Sequence, residues 1–340
     1  KGGQDILETH YVNEVSALVD KVISTHWTSA HTNPIKVTET FTYDHMDRLL
    51  THTHQVNEGA VITLVANSYN ELGELESKQI GNNIQKIDYR YNMRGWLTTI
   101  NGGGTFPLVA GDRFAMELQY DAAGQYNGNI GSMNWRSSGG GNVNTQQFSY
   151  SYDPLGRLKG ATYESSGKNS HFNVSNLSYD ANGNIETLDR TKNGGNLDQL
   201  TYVYQGNQLT SVEDASGNSD GFNNGVTQAT EYEYDANGNM ELDANKSITH
   251  IAYNHLNLPE RVTFNNGKSV KYQYDAAGIK LRKETKEGNH TTTTDYVAGK
   301  HYVNDTLSFF PHREGRVVNN AGTFNYEYNL TDHLGNVRVS

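Results

Sequence analysis

A seven-residue pattern that returns along the whole chain decides most of what this sequence can fold into. Tyr179-Asp180-Ala181-Asn182-Gly183-Asn184-Ile185 and Tyr234-Asp235-Ala236-Asn237-Gly238-Asn239-Met240 are nearly the same heptad. Tyr152-Asp153-Pro154-Leu155-Gly156-Arg157-Leu158, Tyr69-Asn70-Glu71-Leu72-Gly73-Glu74-Leu75 and Tyr91-Asn92-Met93-Arg94-Gly95-Trp96-Leu97 keep its skeleton: Tyr, Asp or Asn, two free positions, Gly, one free position, an aliphatic. Counted loosely, eleven copies start at Tyr43, Tyr69, Tyr91, Tyr120, Tyr152, Tyr179, Tyr204, Tyr234, Tyr253, Tyr274 and Tyr328. The glycine stands at Gly73, Gly95, Gly124, Gly156, Gly183, Gly238 and Gly278, while Asp47 replaces it in the Tyr43 copy, tolerably for a residue that enters the left-handed region readily. An internal repeat this regular fixes the architecture before any residue is given a chemical role.

Ten of the copies place an apolar or aromatic residue two positions before the tyrosine, from Phe41 and Tyr89 to Tyr272 and Tyr326, with Asn67 the exception. Side chains two apart in a strand share a face, so each copy opens with a strand whose aromatic pair points one way. In Glu231-Tyr232-Glu233-Tyr234 the other face reads as charged, the alternation of a strand wet on one side. Asp or Asn then caps a tight turn, Gly supplies positive φ, and the aliphatic begins the return strand. A lone hairpin is marginal in water, so the copies must stack edge to edge into one continuous all-β antiparallel sheet. The apolar fraction is only 35% with 22 tyrosines and 34 glycines, which suits a thin wall tiled by tyrosine better than a thick aliphatic core.

Composition narrows the function classes. A net charge of −11 without a basic stripe argues against nucleic acid as a partner. Zero cysteines exclude disulfides and thiolate metal sites. No apolar run is long enough to span a bilayer and Lys1 opens no signal-peptide pattern, so a soluble segment of a longer polypeptide is expected, without membrane insertion. Thr9–Asn13 reads as a worn repeat with Leu18–Ile23 as its return strand; a short helix over Glu14–Ser24 is the rival reading. Gly102–Gly104, Gly139–Gly141, Thr191–Gly195, Asp214–Gly225 and Glu287–Thr294 read as surface loops. The pattern changes past Asp295, dividing the chain into repeats over 1–294 and a separate C-terminal module over 295–340.

These residues resemble the YD-repeat, or RHS-repeat, family, and more narrowly its members from Bacteroidota. The heptad is that family's unit, and Phe41–His52, Tyr89–Leu97, Asn173–Ile185 and Tyr234–Asn257 resemble that subgroup. Asp332-His333-Leu334-Gly335-Asn336-Val337-Arg338 is similar to the opening of the RHS-associated core, with Asp332, His333, Leu334, Gly335, Asn336 and Arg338 as its motif residues. The resemblance covers Tyr11 to Ser340. It implies a sheet winding into a barrel-like shell that encloses a variable C-terminal domain, commonly a toxin. The sequence ends before the part of the core where family members carry an aspartate-dependent self-cleavage site, so the resemblance assigns neither that activity nor a toxin to these residues. An open curved sheet remains an alternative to a closed shell.

Candidate chemistry gives way to duller readings. Asp180-x-Asn182-x-Asn184 and Asp235-x-Asn237-x-Asn239 space oxygens like a calcium loop. However, Gly is fourth rather than sixth and the twelfth-position acid is missing, which fits an Asn-Gly hairpin turn. His52 and His54 share a strand face near His45, but no further zinc ligands present themselves. His333 beside Asp332 has no nucleophile elbow or third member, so a turn and strand seating the core is the simpler reading. Tyrosines flanked by amides could stack sugars, yet their recurrence at one phase of every copy is what packing requires. Arg313 and Arg316 are expected to pair with acids of the wall. The expectation is therefore a non-enzymatic, cofactor-free and metal-free shell segment of a secreted or cell-surface bacterial protein. Its partners would be its own C-terminal effector as cargo and a secretion machine, often type IX, or a carrier protein; the alternative is a glycan-binding surface adhesin.

Overall fold

A computed structural model describes residues 6–12, 18–28, 31–102, 111–121, 124–138, 144–166 and 168–340. Twenty-nine strands, numbered β1 to β29 in chain order, account for the regular structure among them. β1 (Ile6–Val12) through β16 (Gln208–Asp214) form one sheet in strict sequence order; β17 (Tyr232–Tyr234) through β27 (Thr323–Tyr328) form a second; β28 (Leu330–Thr331) and β29 (Val337–Val339) pair with each other. Every pairing is antiparallel to a neighbour in sequence, as chained hairpins dictate. The helix rival is excluded over residues 21–24, which lie in β2 (Lys21–Thr28), while residues 13–17 and both Gly-rich runs, at 103–104 and 139–141, fall outside the described residues. The pair 294/295 lies within β23 (His290–Val297).

The turn itself differs from a two-residue Asn-Gly hairpin. In the Tyr179 copy the Asp180 N–H donates to Asn184 O at 2.9 Å, the Gly183 N–H donates to Asp180 O at 3.2 Å, and the register shifts so that Tyr179 faces Ile185. That is a three-residue loop, a type I turn whose last residue enters the left-handed region and makes a bulge. Gly183 has φ 91° and Asp47, in the same position of the first copy, φ 60°.

The single ladder expected from the repeat is broken after β27 and, earlier, between β16 and β17. There the chain leaves the sheet over residues 215–230 and returns at Glu231, whose N–H donates to Thr210 O at 2.7 Å. Glu231 was expected on a wet face and is instead buried: its carboxylate accepts from the Val212 N–H (3.0 Å) and Asn245 Nδ2 (2.8 Å), substituting for the missing strand bonds. Only Glu233 of that pair faces solvent.

The wall is also not a single thin layer. The last strands double back over the face of the first ones. One core joins Val65, Ile80, Ile87, Ile100, Phe114 and Met116 to Leu330; a second joins Val37 and Val56 to Tyr302, Leu307, Phe310 and Val317. Sheet faces packed this way bury aliphatics supplied from both ends of the chain, which a low overall apolar fraction did not reveal. Among the described residues no helix is long and apolar enough to cross a membrane.

Candidate functional site

Three features carry the side chains singled out above: the repeat turns, the Asp332 turn, and the seam where the two sheets meet. In the repeat turns the Asp or Asn carboxamide or carboxylate bonds its own main chain twice. Asp180 Oδ1 accepts from the N–H groups of Asn182 and Asn184, both at 2.8 Å. Asp44, Asn70, Asn92, Asp153, Asp235, Asn254 and Asp275 repeat the arrangement. Hydrogen bonding, led by Asn184 at Asp180 and by Asn239 at Asp235, holds both carboxyls below the usual carboxylate range. The spacing that mimics a calcium loop is thus consumed by turn bonds. Gly73, Gly95, Gly124, Gly156, Gly238 and Gly278 all sit at positive φ.

Each repeat tyrosine then reaches across to the preceding hairpin. Tyr179 donates its hydroxyl hydrogen to Leu158 O at 2.7 Å, Tyr204 to Ile185 O at 2.9 Å and Tyr234 to Leu209 O at 3.0 Å. Tyr43, Tyr69, Tyr91, Tyr120, Tyr152, Tyr253 and Tyr274 do the same to Val19, Leu49, Leu75, Leu97, Ile130, Met240 and Pro259. The acceptor in most copies is the carbonyl of the aliphatic residue that closed the previous heptad, so the first and last positions of the pattern are two halves of one tie. A main-chain acceptor imposes no side-chain requirement on the neighbour, which lets copies of divergent sequence stack. Burial raises the phenols of Tyr43, Tyr91, Tyr120, Tyr152, Tyr204, Tyr234, Tyr253 and Tyr274 above their ordinary range, which keeps them protonated donors. Tyr328 departs from the set: its hydroxyl is buried without a protein partner and its ring lies against Gly81, where a Cβ would approach within 2.9 Å.

The Asp332–Arg338 stretch builds the same turn between the short paired strands β28 and β29. Asp332 Oδ1 accepts from the N–H groups of Leu334 (2.9 Å) and Asn336 (3.0 Å), Gly335 has φ 84°, and Arg338 donates to Oδ2 at 2.8 Å. Burial alone raises the Asp332 carboxyl, but the hydrogen bonds from Asn336, Arg338 and Leu334 outweigh it and hold it below its usual range. A carboxylate locked by two N–H groups and a guanidinium is a poor general base. His333 Nδ1 is buried with no protein partner, and burial lowers that imidazole.

The seam was not visible in the sequence. His26 Nδ1 bonds the Tyr302 hydroxyl and His54 Nδ1 bonds the Tyr326 hydroxyl, each at 2.7 Å, while Lys78 Nζ pairs with the buried Glu314 carboxylate at 2.9 Å. His54 also faces His312, ring centroids 6.3 Å apart, and Phe310 at 6.0 Å. Burial, ahead of the opposing attraction of Glu39, lowers His54 to about 4; burial likewise lowers His312 to about 4 against the pull of Glu314. His52 shares the buried strand face with His54 as expected, stacked on Phe41 and bonded to Glu39 at 3.0 Å, while His45 lies exposed in a turn. Among the described residues no group of three or more His, Asp or Glu could hold a metal ion. Arg316 pairs with Glu327 at 2.6 Å and lies over Phe309. Partners 236 to 276 residues apart leave no local spacing to read.

No family model and no curated protein matches the chain. Its fold is shared with solved structures of low sequence similarity. Against the Photorhabdus luminescens Tc holotoxin pore with the TccC3-D651A mutation, the TM-score is 0.64 at 14% identity over 93% of this chain. TcdB2-TccC3 without the hypervariable C-terminal region gives 0.62 at 12% over 95%, and TcdB2-TccC3-Cdc42 gives 0.62 at 12% over 94%. The match spans 17%, 19% and 18% of those chains, respectively. The neighbours agree with the YD/RHS resemblance at the coarse level of a long-strand antiparallel shell sheet.

Proposed function

We propose that this chain is a non-catalytic wall segment of a secreted or cell-surface RHS-repeat protein, of the Bacteroidota type, that helps contain and deliver a C-terminal effector in competition between bacteria. The observation that carries this reading is the row of ten tyrosine-to-carbonyl ties, which spends the repeated side chains on joining hairpins and not on a shared reactive centre. The fold neighbours support it: one of them is TcdB2-TccC3 without a hypervariable C-terminal region. A pocket of about 540 Å³ between Ile80, Arg113, Tyr328 and Val339 has small-molecule dimensions. A hundred-residue cargo, with a radius of gyration of about 13 Å, needs on the order of 10,000 Å³. These residues therefore contribute wall, and the enclosure of a cargo requires more of it. Export through type IX machinery or with a carrier protein completes the proposal.

Limited proteolysis of the full-length gene product tests it. The C-terminal region is expected to resist trypsin in the intact protein and to become cleavable when the seam is weakened by Lys78→Met. Equal cleavage in both proteins would sink the containment reading. The half-exposed Tyr272 and Tyr296, outside the row of ties, favour the adhesin reading, which predicts retention of the purified chain on a glycan array.

A further inference from the structure

Successive repeat turns lie side by side along one rim of the first sheet. Arg48 sits over the Tyr69 ring and beside Gly73, Glu74 beside Gly95, Trp96 beside Gly128 and Asn129 beside Gly156. Along this rim Met46, Leu72 and Leu155 at the fourth heptad position, Met93 at the third and Tyr126 just past its turn have exposures of 65%, 83%, 78%, 100% and 76%. The turn does not require them, since its bonds run from the Asx side chain to main-chain N–H groups. The next three copies prove the point by carrying Asn182, Gly206-Asn207 and Asn237 instead. Single exposed apolar residues are ordinary; one on each of five successive hairpins, themselves roughly 10 Å or two strand spacings apart, is not.

We propose that this stripe is a docking surface for the same rim of a second copy of the chain, forming a two-fold dimer. The copy is favoured over a foreign partner because it presents the identical pitch, so tips of one rim drop between tips of the other along the whole row. The area fits as well. At about 100 Å² per large side chain, the five bury about 500 Å² per copy. That is close to the apolar part of a standard interface of about 800 Å² per partner. The charges beside the stripe set its salt dependence. Asp44–Arg48 and Asp153–Arg157 are already paired within their turns, which leaves exposed Asp47, Glu71 and Asp121 against Arg94. This acidic excess opposes association, so screening strengthens it.

Light scattering and sedimentation equilibrium on the 340-residue chain test the proposal. The mass is expected to climb from 37.8 kDa toward twice that value with concentration, and to do so at lower concentration in higher salt. L72S/M93S should weaken dimerisation at least tenfold with unchanged circular dichroism, whereas L334S, at an isolated exposed tip, should leave it unchanged. Because the chain has no cysteine, M93C is expected to cross-link under mild oxidation at least tenfold faster than L334C. A chain monomeric up to about 200 µM, or a dimer equally indifferent to L72S/M93S or equally weakened by L334S, overturns the proposal.

Discussion

Acidification should open the seam before it unfolds the repeats. His54 and His312 face each other there, packed between Glu39 and His52 on the first sheet and Lys300, Glu314 and Tyr326 on the second. Both are lowered from 6.5 to about 4, chiefly by burial, so the unfolded chain takes up protons in this interval that the folded chain refuses. The sign follows: this contribution is fully present above pH 6.5, falls as the pH drops toward 4, and is flat below that. The interval corresponds to on the order of 3 kcal/mol for His54, which is buried, and to about half that for the more accessible His312. Together, a loss of about 4 to 5 kcal/mol is a large share of the ~5–15 kcal/mol of a typical domain. Glu39 is held below its usual 4.5, principally by its hydrogen bond from His52, and stays ionised through most of this window. The assay is hydrogen exchange at about pH 7 and about pH 4.5, corrected for intrinsic rates, over β4 (Leu49–Val56), β25 (Thr306–His312) and β27, with urea unfolding followed by tryptophan fluorescence. Protection in these strands should fall ahead of that in β14 (Ile185–Lys192). The double variant His54→Phe/Tyr326→Phe removes both polar partners at nearly constant shape and should lose well over half of the pH dependence. Constant stability across the window, or a pH dependence untouched by the double variant, would refute the reasoning.

Other substitutions test single elements. Gly183→Val should cost on the order of 1–3 kcal/mol from backbone strain alone, because φ is 91° and a Cβ there meets nothing within 4 Å; an unchanged denaturation midpoint would count against it. Tyr179→Phe removes the tie to Leu158 O and should cost about 1 kcal/mol, with faster exchange of the adjacent amides in β12 (Leu158–Ser165) as the local readout. Lys78→Met strands the buried Glu314 carboxylate and should cost about 3 kcal/mol or more, whereas adding Glu314→Gln should recover part of it in a double-mutant cycle.

The hairpins were legible because their signal is short. Tyr-Asp-x-x-Gly fits within one turn, and each requirement, an Asx acceptor, a left-handed residue and an aromatic facing inward, belongs to one residue type. Less legible was the turn class, since a type I turn with a bulge and a two-residue turn both welcome Gly after Asn. Glu231 misled for a different reason: alternation marks which face a side chain takes, but not that a strand ends and its neighbour's open N–H groups draw the carboxylate inward. The hydroxyl ties were half legible, since a repeating tyrosine is visible while its acceptor is a main-chain atom that every residue has. The seam could not be read at all, because His26 and Tyr302, or His54 and Tyr326, are brought together by the twist and reversal of two sheets and not by any spacing along the chain.

In both sheets, each strand pairs only with the strands before and after it in the chain. Such a ladder has low contact order, so it can be laid down one hairpin at a time from whichever end emerges first, with little loop-closure entropy to overcome at any step. The contacts between the far ends are the exception, and they can form only after the intervening strands are in place. A molecule built this way assembles by accretion, hairpin upon hairpin, with its two ends meeting last.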